Sequence, residues 1–198
     1  MRRVILIDVM DTLVQEPFFE RAPRFLGLTL DELMQAKHPT VWAEFECGEI
    51  DEPTMLARFF RDQRPFDGAG LKHALTCDYR WVPGMEALLA ELAARSHEIH
   101  ALSNYPHWYR LIEEQLGLER YLCWSFVFCD TGVRKPDARA FTGAQETLGA
   151  EPGQCLFIDD REANCAAARS VKIDAILFTG AHELGRELAR RGLLGSER

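Results

Sequence analysis

The sequence has no long apolar run, no CxxC pair and no surplus of positive charge. Each absence excludes something. A membrane-spanning helix needs roughly 20 mostly apolar residues, and no stretch approaches that length. The opening MRRVILIDVMD has the basic start of a secretory signal, but Asp8 ends its apolar run after four residues, short of the roughly 7–15 that a signal uses. The expectation is a cytoplasmic protein with no membrane partner. The six cysteines, Cys47, Cys77, Cys123, Cys129, Cys155 and Cys165, lack zinc-site spacing. In a reducing compartment they read as free, mostly buried thiols. A net charge of −8 argues against nucleic acid or an anionic membrane as the main partner. Internal repeats, low-complexity tracts and linkers are missing too. What is present is ordinary for a globular chain. The 198 residues, 47% hydrophobic and 27% charged, suffice for one good core, or a core with a small lid.

Short apolar runs alternate with helical patterns. VILID (4–8) reads as a buried strand. Residues 14–82 hold no comparable strand and read as helices over about 17–26, 30–47, 52–63 and 68–77. Thr29 or Asp31 offers a cap for the second, and Asp51-Glu52-Pro53 opens the third. A helix starts near Pro83. Strands are then expected at 98–102, 124–130, 154–160 and 174–180, with helices at 107–117, 137–149, 161–170 and 181–192. That order predicts an α/β fold: a Rossmann-like, doubly wound parallel sheet with right-handed crossovers. The division expected is a core of 1–13 and 83–198 with 14–82 as an inserted helical cap.

Ligands of open α/β sheets bind beyond the carboxyl ends of the strands. The first strand delivers Asp8, then Asp11 and Thr12. The second delivers Ser103 and Asn104, the third Arg134 and Lys135, and the fourth Asp159 and Asp160. Each group alone is ordinary turn or cap chemistry. Gathered on one edge, they suit a single reaction. A carboxylate can attack phosphorus to form an acyl phosphate. The repulsion between the two anions then needs magnesium, held by one or two carboxylates, and a lysine.

DVMDTL, SN, GVRKPD and FIDDREAN resemble the four motifs of the haloacid dehalogenase-like (HAD) hydrolases, and WAEFECGEIDEPTM resembles the helical cap of one subgroup. The resemblance implies Asp8 as nucleophile and Lys135 as its cationic partner in phosphate binding. Ser103, Asn104 and Asp11 fall in the substrate-binding set. Magnesium would be held by Asp8, Asp159, Asp160 and the Met10 carbonyl. The partner implied is a small phosphorylated metabolite, and the chain a monomer or homodimer. Within the family, PFFE, KHPTVWAEFECGEID and SNYPHWYRLIEEQLG resemble flavin mononucleotide (FMN) hydrolases of plant plastids. Trp42, Phe45, Tyr105 and Trp108 then become candidates to stack a flavin, against the ordinary role of aromatics as packing. His107 reads as a helix-start residue.

The departure is Met10. Phosphatases of this family usually carry a second aspartate there, which protonates the leaving oxygen and later activates water. Such a group is typically worth about 10²–10⁴ in rate. Asp11, a water, Glu44 or Glu46 are the replacements considered. Neighbours on an extended chain face opposite ways, so Asp11 does not simply substitute. The alternatives are a 2-haloacid dehalogenase, whose halide leaves without a proton, or a weakened protein that only binds.

Overall fold

The computed structural model describes residues 3–195. The outermost residues of the expected core segments, 1–2 and 196–198, lie outside them. Five parallel strands form one sheet in the order β3-β2-β1-β4-β5. They are β1 (Val4–Ile7), β2 (Glu98–Ser103), β3 (Cys123–Val127), β4 (Cys155–Asp159) and β5 (Asp174–Leu177). β1 sits at the centre because its apolar run can be covered on both faces. Ile5 and Ile7 join Ile99, Leu156 and Ile158 on one side of the sheet, while Leu6 joins Leu102, Phe126 and Phe157 on the other. Ile5 lies level with Ile99 on β2 and with Leu156 on β4. The connections from β1 run outward through β2 and β3, then return to place β4 on the other flank. The crevice between the carboxyl ends of β1 and β4 is therefore the switch point where such sheets bind ligands.

Five helices lie between β1 and the next core helix: α1 (Phe18–Leu26), α2 (Leu30–Ala36), α3 (Val41–Glu46), α4 (Glu52–Ala57) and α5 (Gly68–Thr76). The chain leaves and re-enters side by side. Val14 bridges Trp81 in antiparallel fashion, the Gln15 amide donates to Arg80, and the Val82 amide donates to Leu13. The rest follows as α6 (Met85–Ala94), α7 (Tyr109–Leu116), α8 (Phe128–Thr131), α9 (Ala138–Leu148), α10 (Glu162–Ser170) and α11 (Ala181–Arg190).

Several boundaries depart from the expectation, among them the strand expected over 174–180, which ends at Leu177. The helix expected over 30–47 is two helices, because Pro39 lacks an amide hydrogen and biases His38 to extended backbone. The His38 ring then accepts from the Val41 amide at 3.2 Å, at the start of α3. The helix expected over 52–63 stops at Ala57. Beyond it Phe60 bridges Lys37, and Phe59, Phe60 and Phe66 form an aromatic cluster with centroids 5.1–5.3 Å apart. The strand expected over 124–130 ends at Val127, where α8 begins.

One glycine sets how closely the end of α3 approaches α8. Gly48 has φ +69°, and a Cβ there would lie 2.9 Å from the Cys129 carbonyl oxygen on α8. Gly48→Ala should cost about 1–2 kcal/mol for the left-handed backbone alone. In a chain of this size that is about 2–4 °C of melting temperature per kcal/mol, read by thermal denaturation. An unchanged midpoint would show that the contact carries no strain.

Candidate functional site

β1 hands over to the site through its ladder. The Asp8 amide still donates to Ile158 on β4 at 2.9 Å, so the Asp8 side chain emerges in the crevice between the two strands. β4 ends one residue later than β1 in register and delivers Asp159, fully buried. Lys135 reaches in from the loop after α8. Its Nζ donates to Asp8 Oδ1 at 2.7 Å and to Asp159 Oδ2 at 2.6 Å. Asn104, just past β2, holds that loop with a reciprocal pair: its amide donates to the Lys135 carbonyl at 2.9 Å, and its Oδ1 accepts from the Lys135 amide at 3.0 Å. Both polar ends of Asn104 are thus spent on positioning Lys135.

Asp159 is saturated. Besides Lys135 it accepts from the Arg161 amide at 2.8 Å and from Asn164 Nδ2 at 2.9 and 3.0 Å. Asn164, on the first turn of α10, is a site residue that the sequence reading missed; FIDDREAN contains it, but only the helix geometry brings it back over Asp159. Asp160, half-buried, makes no ion pair among the described residues. Oxygens of Asp8, Asp159 and Asp160 all lie within 4.8 Å of one another.

Three carboxylates and one ammonium leave this pocket short of positive charge, and the titration shifts say so. Burial pushes the Asp8 carboxyl up, to about 7, with Lys135 opposing and Asp159 and Asp160 reinforcing the rise. Burial also raises Asp160, helped by Asp159. Burial works to lower Lys135, but Asp8 and Asp159 outweigh it and hold the ammonium above its ordinary value. Ser103 Oγ, at the end of β2, is buried with no hydrogen-bond partner among the described residues. A buried hydroxyl so left is uncommon and calls for an acceptor.

The remaining expected residues fall as follows. Asp11 sits at φ +57°, a left-handed conformation that Asp tolerates. Its Oδ1 accepts from the Glu16 amide at 3.0 Å, which folds the segment after β1 back on itself. Met10 and Asp11 both line the cleft above Asp8, with Asn104, Lys135 and Asp160. The cleft measures about 180 Å³, room for on the order of ten waters. Glu44 is turned away, held below its usual range by the Thr40 hydroxyl and by Arg58. Glu46 faces the cleft but is engaged by Trp42 Nε1 at 2.6 Å and Arg134 Nε at 3.1 Å, an ion pair between α3 and the loop after α8. His107 is exposed, 3.9 Å from Asp130 and not among the cleft residues.

The four aromatics pack mainly on each other. Trp42 and Phe45 each meet Trp108 edge-to-face at 5.6 Å, and Trp42 meets Tyr105 at 6.4 Å. Phe45, Tyr105 and Trp108 are buried at 3–4% exposure, although Tyr105 and Trp108 contribute to the cleft lining. Trp42 is half-buried at the cleft wall. The rim carries apolar residues that were not foreseen, Phe18, Phe19 and Met34, with Lys37 beside them. Phe19 and Met34 are 51% and 45% exposed. A half-buried carboxylate at Glu16 was likewise not foreseen.

The family model described as a hydrolase of the haloacid dehalogenase-like type matches residues 72–172. Flavin mononucleotide hydrolase 1 of Arabidopsis thaliana, described as chloroplastic, is 43% identical over 96% of this chain and 78% of its own. Among solved structures, a HAD-family enzyme of Bacteroides thetaiotaomicron in complex with magnesium and inorganic phosphate superposes with TM-score 0.70 at 18% identity, covering 91% of this chain and 96% of that one. The L-2-haloacid dehalogenase of Xanthobacter autotrophicus gives TM-score 0.65 at 17% identity, covering 96% and 83%. Both likenesses are of fold. Among the described residues, no helix is long and apolar enough to cross a membrane.

Proposed function

The chain belongs to the haloacid dehalogenase-like hydrolase family, and from that premise we propose that it is a magnesium-dependent phosphatase of a small phosphorylated metabolite, with FMN the leading candidate. The observation that carries the reading is the ammonium of Lys135 clamped between the buried carboxylates of Asp8 and Asp159, with Asp160 beside them. In this reading residues 14–82 are a cap over the core.

The donor set fits magnesium. It is all oxygen, as a hard cation requires, and its net negative charge is what a divalent ion offsets. Asp8, Asp160 and the Met10 carbonyl would hold the ion. Asp159, its oxygens already engaged, would act by holding Lys135. When bound, magnesium supplies positive charge against the repulsion between the phosphate and Asp8. The chain's own groups do the rest. An Asp8 oxygen attacks phosphorus and the bond to the leaving oxygen breaks. Lys135 steadies the equatorial charge, and Ser103 Oγ offers its free hydrogen to a phosphoryl oxygen. Water then attacks the phosphorus of phospho-Asp8, frees phosphate and restores the carboxylate. The apolar rim of Phe18, Phe19 and Met34 suits a flat organic group better than the buried aromatics do.

A second reading has one observation behind it: Met10 is not an acid, as suits a departing halide. The three crowded carboxylates stand against it, since a dehalogenase has no use for a cation-binding third acid. One experiment separates the readings. Purified protein is given a panel of phosphate esters that includes FMN, with magnesium or with EDTA, and separately 2-chloropropionate. Magnesium-dependent phosphate release supports the phosphatase; metal-independent chloride release overturns it; binding without turnover in either arm also overturns it.

A companion prediction concerns the metal. Asp160→Asn should raise the magnesium concentration for half-maximal activity by at least about tenfold. It should also weaken the magnesium-induced rise in melting temperature without substrate. Unchanged magnesium titrations would remove Asp160 from the ligand set.

A further inference from the structure

We propose that Glu16 is the general acid and base of the reaction, doing from the far end of the turn after β1 what the side chain at position 10 cannot. The inference rests on the phosphatase reading above and adds a residue to it. Three geometric facts carry it. Glu16 lines the cleft that holds Asp8 and Met10. It is brought there by a defined turn: the Leu13 and Val14 amides donate to the Val9 carbonyl at 2.8 and 2.9 Å, Asp11 takes the left-handed conformation, and its carboxylate accepts the Glu16 amide. Glu16 Oε1 accepts from the Phe18 amide at 2.9 Å, at the start of α1, which orients the carboxyl and leaves Oε2 without a protein partner among the described residues.

The surroundings suit a group that must both give and take a proton near neutrality. Burial pushes the Glu16 carboxyl up, to about 7; the Phe18 amide opposes this, Asp11 and Glu46 add to the rise, and Arg161 opposes it. The groups facing it are Asp11 on its own segment, Glu46 of α3, Arg161 at the start of α10, and the Tyr79 and Tyr105 hydroxyls, which bond to each other at 2.9 Å. Of the other acids considered, two are committed elsewhere. Glu44 faces Arg58 and Glu46 is held by Trp42 and Arg134, while Asp11 is exposed where Glu16 is half-buried.

In the first step Asp8 bonds to phosphorus, the phosphorus–oxygen bond to the leaving group breaks, and the Glu16 proton passes to the leaving oxygen. In the second, the Glu16 carboxylate takes a proton from water as that water attacks phosphorus. Asp8 departs as carboxylate, and Glu16 ends protonated as it began.

The test compares wild type with Glu16→Gln, which keeps size and the Phe18 contact. On FMN, or the best alkyl phosphate found, kcat/KM should fall by about 10²–10⁴-fold. The decline of the wild-type kcat/KM as pH rises above about 7 should vanish in the variant. With p-nitrophenyl phosphate, whose leaving group needs no proton, Glu16→Gln should give a rapid stoichiometric burst of nitrophenol and then a slow phase. Met10→Asp in the Glu16→Gln background should restore turnover. Wild-type activity with an unaltered Glu16→Gln pH profile and no burst overturns the role of Glu16 and spares the phosphatase reading. An inactive wild type overturns the phosphatase reading itself. A Glu16→Gln loss that is equal for both ester types, without burst and without rescue by Met10→Asp, makes Glu16 structural and also overturns the proposal.

Discussion

On the phosphatase reading, Asp8→Asn is expected to lower turnover by about 10⁴–10⁶-fold and to leave the protein folded. The amide keeps the side chain's size but removes the nucleophile, and no other carboxylate shares its geometry. Asp159 is fully buried and saturated with donors, and Asp160 makes no ion pair with Lys135 among the described residues. Stability should move the other way. The Asp8 carboxyl titrates above its unfolded value, so the folded protein binds an extra proton between the two values. Ionised Asp8 therefore costs stability above about pH 7, and the cost disappears below the ordinary carboxylate range. Asparagine mimics the neutral form. In metal-free buffer Asp8→Asn should melt at or above the wild-type temperature at pH 8 and show no gain near pH 4. Residual activity within tenfold of wild type would take Asp8 out of the chemistry.

Lys135→Met is expected to damage both activity and fold. Lys135 is 2% exposed and is the cation in contact with both Asp8 and Asp159. Breaking such a pair by removing one partner costs about 3–5 kcal/mol, because the remaining charges stay buried and unpaired. At about 2–4 °C per kcal/mol the midpoint should fall by roughly 6–20 °C. Losing a donor to the developing phosphoryl charge should reduce kcat by about 10²–10³-fold or more. The destabilisation should be largest at neutral pH and shrink as the carboxylates protonate in acid. Asp8→Asn should partly rescue the Lys135→Met midpoint, since the two share one interaction. Strictly additive midpoints would contradict the triad as drawn.

Much of this site was legible in the sequence because strand ends are. An apolar run bounded by a polar pair locates a carboxyl terminus of a parallel strand, and the order of strands then brings Asp8, Ser103, Lys135 and Asp159 to one edge. The division of labour within the pair Asp159–Asp160 was not legible. It follows from the Asn164 side chain, five residues on, and from the Arg161 amide, which together use up the Asp159 oxygens. Glu16 was hidden for a similar reason. Its place at the cleft depends on the left-handed Asp11 and the backbone bonds of residues 9–16, not on any spacing. The break at Pro39 was readable in principle. That Phe45, Tyr105 and Trp108 are buried agrees with the ordinary packing role of aromatics; which rings touch one another depends on how α3 meets the loop after β2. The rim residues Phe19 and Met34 face outward from α1 and α2, whose helical pattern alone gives no reason to expect an apolar exposed side.

The most direct test of the account asks whether the phosphoryl group rests on Asp8. Wild-type protein turning over its phosphate ester with magnesium is acid-quenched, treated with borohydride and digested for mass spectrometry. An aspartyl phosphate is reduced to homoserine, so the account predicts homoserine at position 8. It should appear only when substrate and magnesium are both present, and with p-nitrophenyl phosphate should be more abundant in Glu16→Gln. Phosphate release with unmodified Asp8 under every condition would contradict it.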